Sequence, residues 1–309
     1  MNEGLIIAII IGISIASVPL IFAAIGELLV ERSGVLNLGV EGMMIVGALA
    51  GFVVEFHTGN SFLAVLAALL AGMAIASIFA FLTQILLTNQ VATGLALTIF
   101  GLGIAAFIGR SYTEVRIELI AEIHIPLLSD LPIVGPLLFS YNPLVYLAFF
   151  VVFLVWWFLF KTKHGLILRA IGDNHDAAHA IGHKVVRYRV MAILFGGAMA
   201  GIGGAFLSLV QVPMWGENMT AGRGWIALGL VVFSSWQPFK VILGAVIFGG
   251  ITVLQLHAQG FDIRISAQYL SMLPYLATIG ILVSLRVRAK NKTNRTMPNC
   301  LGRIFHSTT

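Results

Sequence analysis

Long apolar blocks alternate with short polar breaks along the whole chain. Leu5 to Ile25, Phe62 to Leu87, Leu144 to Phe160 and Val190 to Val210 carry no charged residue, and each supplies roughly the 20 residues needed to span about 30 Å of hydrocarbon. Inside a bilayer the backbone finds no water, so such blocks form helices; a membrane β-barrel shows short alternating segments instead. The pattern predicts crossings at about 5–29, 36–56, 62–87, 94–109, 144–161, 190–210, 224–235, 240–257 and 269–285. That is an all-α polytopic membrane protein with about nine transmembrane helices, in a range of roughly 8 to 10 given ordinary boundary errors. Segment 224–235 is short enough for a partial or re-entrant crossing. The first block follows MNEG, without a basic leader, and reads as a membrane helix rather than a cleaved signal.

Composition narrows the class without changing it. With 59% hydrophobic residues, 10% charged residues and a mean hydropathy of +0.99, the chain lies outside the range of soluble domains. The one cysteine, Cys300, excludes an internal disulfide. A pI near 9.6 suggests nucleic acid in a soluble protein, but here the positions of the charges give another meaning. Lys161, Lys163, Arg169, Lys184, Arg187 and Arg189 cluster between two crossings, and Arg286, Arg288, Lys290, Lys292, Arg295 and Arg303 follow the last. The positive-inside rule puts both groups on the cytoplasmic side, against membrane lipid, and no nucleic-acid partner is expected. The loop 110–142 carries a net charge of −2 and suits the outer face, which leaves the N-terminus outside. Residues 1–286 thus read as the transmembrane domain, with a cytoplasmic loop at 162–188, and 287–309 as a basic tail expected to be disordered.

Polar residues inside the blocks are the candidate chemistry. Asn37 and Glu41 are spaced to share a helix face, and Gln84 and Thr88 repeat the spacing, followed by Asn89 and Gln90. Ionisable groups in membrane helices are costly and usually face the bundle interior or an aqueous route. Asn37, Glu41, Gln84, Asn89 and Gln90 are therefore candidates for a solute path, although hydrogen bonding between helices accounts for such residues equally well. In FGGAMAGIGGA, Phe195 to Ala205, the small residues fall on two adjacent stripes; Gly197, Gly201 and Gly204 predict close helix packing. The segment GVLNLGVEG at 34–42 weakly resembles GWIALGLVV at 224–232, which suggests two halves related as inverted repeats with a site between them.

The loop LRAIGDNHDAAHAIGHKVVRYR, residues 168–189, reads as a short exposed helix capped by Asp173 or Asn174 and ended by Gly182. It is either a docking surface or a plain solvated loop. His175, His179 and His183 recur at four-residue spacing, but Gly182 interrupts the helix and no cysteine joins them, so no metal or other cofactor is expected. The phosphate-cradling pattern GxxxxGK[ST] is absent, as are nucleophile-elbow and zincin motifs, so no catalytic residues are expected.

In their order, ERSGVLNLGVEGMM, LRAIGDNHDAAHAIG, AGIGGAFLSL and GWIALGLVVFSSWQPF resemble the permease subunits of bacterial ABC importers for simple sugars and nucleosides. IPLLSDLPIVGPLLF, Ile125 to Phe139, resembles the purine-nucleoside branch, which is associated with receptors of the basic membrane protein type. The resemblance covers about residues 5–285 and implies a type II importer-like permease in the bacterial plasma membrane. It implies three partners: a cytoplasmic ABC ATPase, a second and homologous permease, and an extracytoplasmic substrate-binding protein or lipoprotein. The family pattern G-x-N-x-x-A-A falls on Gly172, Asn174, Ala177 and Ala178, flanked by Asp173 and Gly182, and implies a loop that couples the permease to the ATPase. A purine nucleoside is the expected solute and a ribose-like sugar the alternative. An autonomous ion-coupled transporter, using Glu41 as an ion site, is a third reading from a different class.

Overall fold

The computed structural model describes residues 3–113, 115–123, 126, 129, 131, 134–260, 272, 273, 276, 279, 280, 283 and 297–306. Among these, eleven α-helices follow in order: α1 (Glu3–Arg32), α2 (Val40–Thr58), α3 (Ser61–Ala80), α4 (Gln90–Gly109), α5 (Val134–Leu138), α6 (Pro143–Lys161), α7 (Lys163–Asp173), α8 (His175–Ala180), α9 (Val185–Phe206), α10 (Arg223–Phe233) and α11 (Pro238–Gly260). Single π-turns extend α3 over Phe81–Ile85 and α9 over Leu207–Gln211. Seven helices among the described residues, α1, α2, α3, α4, α6, α9 and α11, are long and apolar enough to cross a membrane.

The starts of the helices are written in side chains that replace missing backbone partners. Asn60 accepts from the Phe62 and Leu63 amides, Asn89 from Ala92, and Asn142 from Leu144 and Val145. The outer surfaces of the bundle are apolar: Phe62, Ile99 and Phe107 are 76%, 72% and 83% exposed, as suits helices solvated by lipid.

At the centre lies α9, packed against α1, α2 and α3 and the most enclosed of the spans. Its glycines make this closeness possible. A Cβ on Gly197 or Gly201 would strike α3 at Ala76 or the Ala68 carbonyl, and one on Gly204 would strike the Met44 carbonyl of α2. Gly196 meets α1 at Val30 in the same way. Three neighbouring helices therefore approach α9 at backbone distance.

Of the expected crossings, one proves partial and one falls outside the described residues. Segment 224–235 is not a full span, because α10 has 11 residues and is about 16 Å long. Ser235 and Trp236 then take positive φ (52° and 55°), and the chain turns back into α11. The expected 269–285 crossing lies almost wholly outside the described residues. Nor do Asn37 and Glu41 share a helix face. Residues 33–39 form a buried turn and extended segment between α1 and α2, with Gly34 at φ 87°, and the helix begins only at Val40. Gln84 and Thr88 are likewise separated, since the helix ends at the π-turn and Leu87 takes φ 55°.

Candidate functional site

Each end of the half-length α10 is tied to the segment from Glu31 to Glu41. At its N-terminus the Glu41 carboxylate, only 3% exposed, accepts three hydrogen bonds: from the Thr220 hydroxyl (2.6 Å) and from the backbone amides of Gly222 (2.8 Å) and Gly224 (2.6 Å). Helix N-termini carry unpaired N–H groups and a partial positive charge, and here a protein carboxylate meets both. Gly224 allows the approach, since a Cβ there would stand 2.6 Å from the Glu41 nitrogen. At the other end the Trp236 indole donates to Glu31 (2.6 Å), and Arg32 donates to the Trp236 carbonyl (2.9 Å).

Beside the N-terminal tie opens a cavity of about 720 Å³, roughly half-way along α1, α4 and α11. Glu41, Thr98, Asn218, Arg223, Thr252 and Gln255 give it polar walls, while Trp225 and Phe248 give it aromatic ones. The Arg223 guanidinium donates to the Met219 carbonyl (2.9 Å), which braces the 212–222 segment that descends from α9. The cavity combines a mostly apolar surface with a few hydrogen-bonding groups, the usual make-up of a site for a small polar molecule.

The segment 33–39 also reaches the loop helices α7 and α8. Asn174 caps α8 by accepting from the Ala177 amide (3.0 Å), and Gly182 ends the turn at φ 91°. Gly172 sits so close to α1 that a Cβ would strike the Arg32 carbonyl. Buried Arg189 donates to the Ser33 carbonyl (3.2 Å) and meets His175 Nδ1 at 3.0 Å. Burial first, and the Arg189 charge second, hold the His175 imidazole below its ordinary pKa, so the neutral ring accepts that bond. Ala178 faces the bundle while Ala177 is exposed. Replacing Asn174 with alanine should cost α8 about 1 kcal/mol of local stability. Hydrogen exchange at the Ala177 amide should then rise severalfold, and Asn174→Asp, which keeps the cap, should restore protection.

The structure sorts the path candidates. Among Asn37, Glu41, Gln84, Asn89 and Gln90, the cavity is lined by Glu41. Asn37 is fully buried, accepts from the Gly39 amide (2.9 Å) and donates its own amide N–H to Glu27 (3.2 Å). Gln90 accepts from the Leu36 amide (2.9 Å), Gln84 donates to Thr83 (3.1 Å), and Asn89 is a helix cap. His175, His179 and His183 do not converge: no group of three potential metal ligands assembles among the described residues. Glu27, flanked by apolar residues, and the cavity residues Thr98, Asn218, Arg223, Trp225, Thr252 and Gln255 were not legible from the sequence pattern. A carboxylate four residues before Glu31 was the available signal for Glu27.

A multi-span bundle, a half-helix held beside a half-open cavity at membrane depth and a capped helix outside the spans fit a membrane transport subunit. Residues 9–282 match the family model described as the branched-chain amino acid transport system permease component, and the chain belongs to that family. It is similar to a putative glucose ABC transporter permease of Haloferax volcanii, at 39% identity over 89% of this chain and 91% of that one. It is also similar to a nucleoside ABC transporter permease of Lactococcus lactis (33%; 87% and 89%) and a guanosine ABC transporter permease of Bacillus subtilis (30%; 92% and 94%). No solved structure matches the chain. The protein is thus a multi-pass permease subunit of an ABC importer and not itself an enzyme. Its family implies an ATPase and a substrate-binding protein as partners.

Proposed function

We propose that this permease imports a neutral polar solute, a purine nucleoside first, through the cavity beside α10. The observation that carries this reading is the Glu41 carboxylate on the α10 N-terminus. Broken membrane helices commonly aim that positive end at an anionic solute group. Here the protein supplies the anion, so a solute carboxylate has no vacant partner at this point, and an uncharged solute is the better match. Trp225 and Phe248 suit the faces of a heterocyclic base, and Thr98, Asn218, Thr252 and Gln255 suit ribose hydroxyls and base edges. The nucleoside and guanosine permeases among its relatives favour the same class. A sugar is the second reading, favoured by the likeness to a putative glucose permease.

In this mechanism the ATPase docks on the exposed Asp173, Asn174, Ala177 and Gly182, while buried Gly172 and Ala178 seat that element on the bundle; this end lies on the cytoplasmic side together with the C-terminus, and the N-terminus lies outside. A homologous second permease completes the membrane part, and a lipoprotein receptor delivers the solute. Movement of α7 and α8 reaches α10 through 33–41, because Gly172 and Arg189 bear on 32–34 while Glu31, Arg32 and Glu41 hold α10. Access to the cavity then alternates with ATP binding and hydrolysis.

The test is uptake of radiolabelled guanosine and ribose in cells with and without the ATPase, second permease and receptor. ATPase-dependent uptake competed by nucleosides and not by ribose is expected. Competition by glucose or ribose alone would move the assignment to sugars. Uptake by this chain alone, abolished by an uncoupler, would overturn the importer mechanism in favour of Glu41 as an ion site.

A further inference from the structure

Residues 297–306 do not hang free, as a basic disordered tail would; they pack into the junction of α7, α8 and α9. Cys300 donates its amide to the Gly172 carbonyl (2.9 Å) and its thiol lies 3.5 Å from the Asp173 carbonyl. Gly302, turned by φ 75°, donates to the Gly34 carbonyl (3.1 Å). Arg189 donates to the Arg303 carbonyl at 3.2 Å. Phe305 is 5% exposed and sets its ring edge-on to both His175 and His179 of α8, each with centroids 5.3 Å apart. It closes a small apolar cluster with Ile171, Ala178 and Val185.

The three anchor points matter more than the number of bonds. Gly172 and Asp173 end α7, His175 and His179 form α8, and Gly34 belongs to the segment that holds α10. A short helix such as α8 has little stability of its own and takes its position from what it packs against. On its buried side that packing includes Phe305.

We infer that residues 297–306 are part of the coupling apparatus, with Phe305 and Cys300 as positioning residues that hold α8 against the 33–41 segment so that ATPase movement reaches α10. This inference rests on the reading of α7 and α8 as the ATPase docking element. Arg303 of the tail is exposed, as are Asp173, Asp176 and Ala177 at α8, so both the tail and α8 offer surface to the ATPase.

The test uses the full complex of this chain with its ATPase, second permease and receptor, reconstituted in proteoliposomes. Phe305→Ala should leave assembly intact and lower the solute imported per ATP hydrolysed severalfold, because α8 loses both ring contacts that position it. Phe305→Leu, which refills the cluster, should recover most of that ratio. Truncation after Thr296 should reproduce the uncoupling. Unchanged solute-to-ATP ratios in both Phe305→Ala and the truncation would overturn the inference. So would a fall in uptake and hydrolysis together, in proportion to lost complex, because that marks a tail needed only for folding. Ala177→Asp, on the exposed face of α8, separates the two readings. If it fails to weaken ATPase assembly, the docking assignment itself is wrong; if it weakens assembly while tail variants stay coupled, only the tail inference falls.

Discussion

Replacing Glu41 with alanine is expected to lower solute uptake by about a hundredfold while the subunit still inserts and assembles. The carboxylate accepts three hydrogen bonds in a buried site, and its loss leaves the Thr220 hydroxyl and the Gly222 and Gly224 amides without their acceptor. A single hydrogen bond to a charged group contributes about 1.5–3 kcal/mol, which already spans roughly ten- to hundredfold in an equilibrium. The bonds act on one helix end and do not add independently, so the upper part of that range is the reasonable expectation. The alternative for α10 is a displaced N-terminus and a cavity without its polar wall. Glu41→Gln keeps the shape but offers one acceptor oxygen in place of two, and should fall between wild type and alanine. Uptake by labelled solute, normalised to ATPase co-purified with each variant, decides it; full uptake by Glu41→Ala would mean that the clamp on α10 is dispensable.

The second large effect concerns folding. Gly201→Leu or Gly204→Leu should remove most folded protein from the membrane, because each new side chain meets a backbone carbonyl, of Ala68 or of Met44, which cannot rotate away. Overpacking of ordinary cores costs about 1–3 kcal/mol. Here the obstruction is backbone on a neighbouring helix, so α9 must leave α2 or α3 altogether, at a larger cost. Gly103→Ala is the control: a Cβ there meets nothing within 4 Å, and folded yield should be unchanged or slightly higher. Detergent-extracted monodisperse protein, measured by fluorescence-detected chromatography, reads the difference. Normal yield of Gly201→Leu would contradict the central placement of α9.

Particular residues show what was legible before the structure. The blocks of apolar residues carried the fold class, because hydrocarbon thickness and backbone pairing leave few alternatives. A cap at Asp173 or Asn174 and the Gly182 stop were legible for a similar reason, since local backbone chemistry determines them, and the structure gives the cap to Asn174. Glu41 was visible as a costly buried charge, but its partners Thr220, Gly222 and Gly224 lie some 180 positions away, and pattern reading has no means to join them. Asn37 was misplaced on a helix because a buried extended segment and a buried helix look alike when every flanking residue is apolar. What breaks the helix is Gly34 together with side-chain acceptors from Glu27 and Gln90, none of which periodicity records. Phe305 was hidden differently: one aromatic in a polar tail reads as solvated until its pocket of Ile171, Ala178 and Val185 is known.

In the proposed mechanism the solute sits in the cavity beside α10. Single cysteines at Thr252 and Gln255, introduced with Cys300→Ser so that no other thiol of this chain reacts and read on this chain's own band, test that directly in the assembled importer. The rate of labelling by a small maleimide should fall severalfold when guanosine-loaded receptor and ATP are supplied, and should recover when guanosine is omitted. Labelling that is indifferent to guanosine at both positions, in a complex that still transports it, would contradict the cavity's role and move the solute path elsewhere in the bundle.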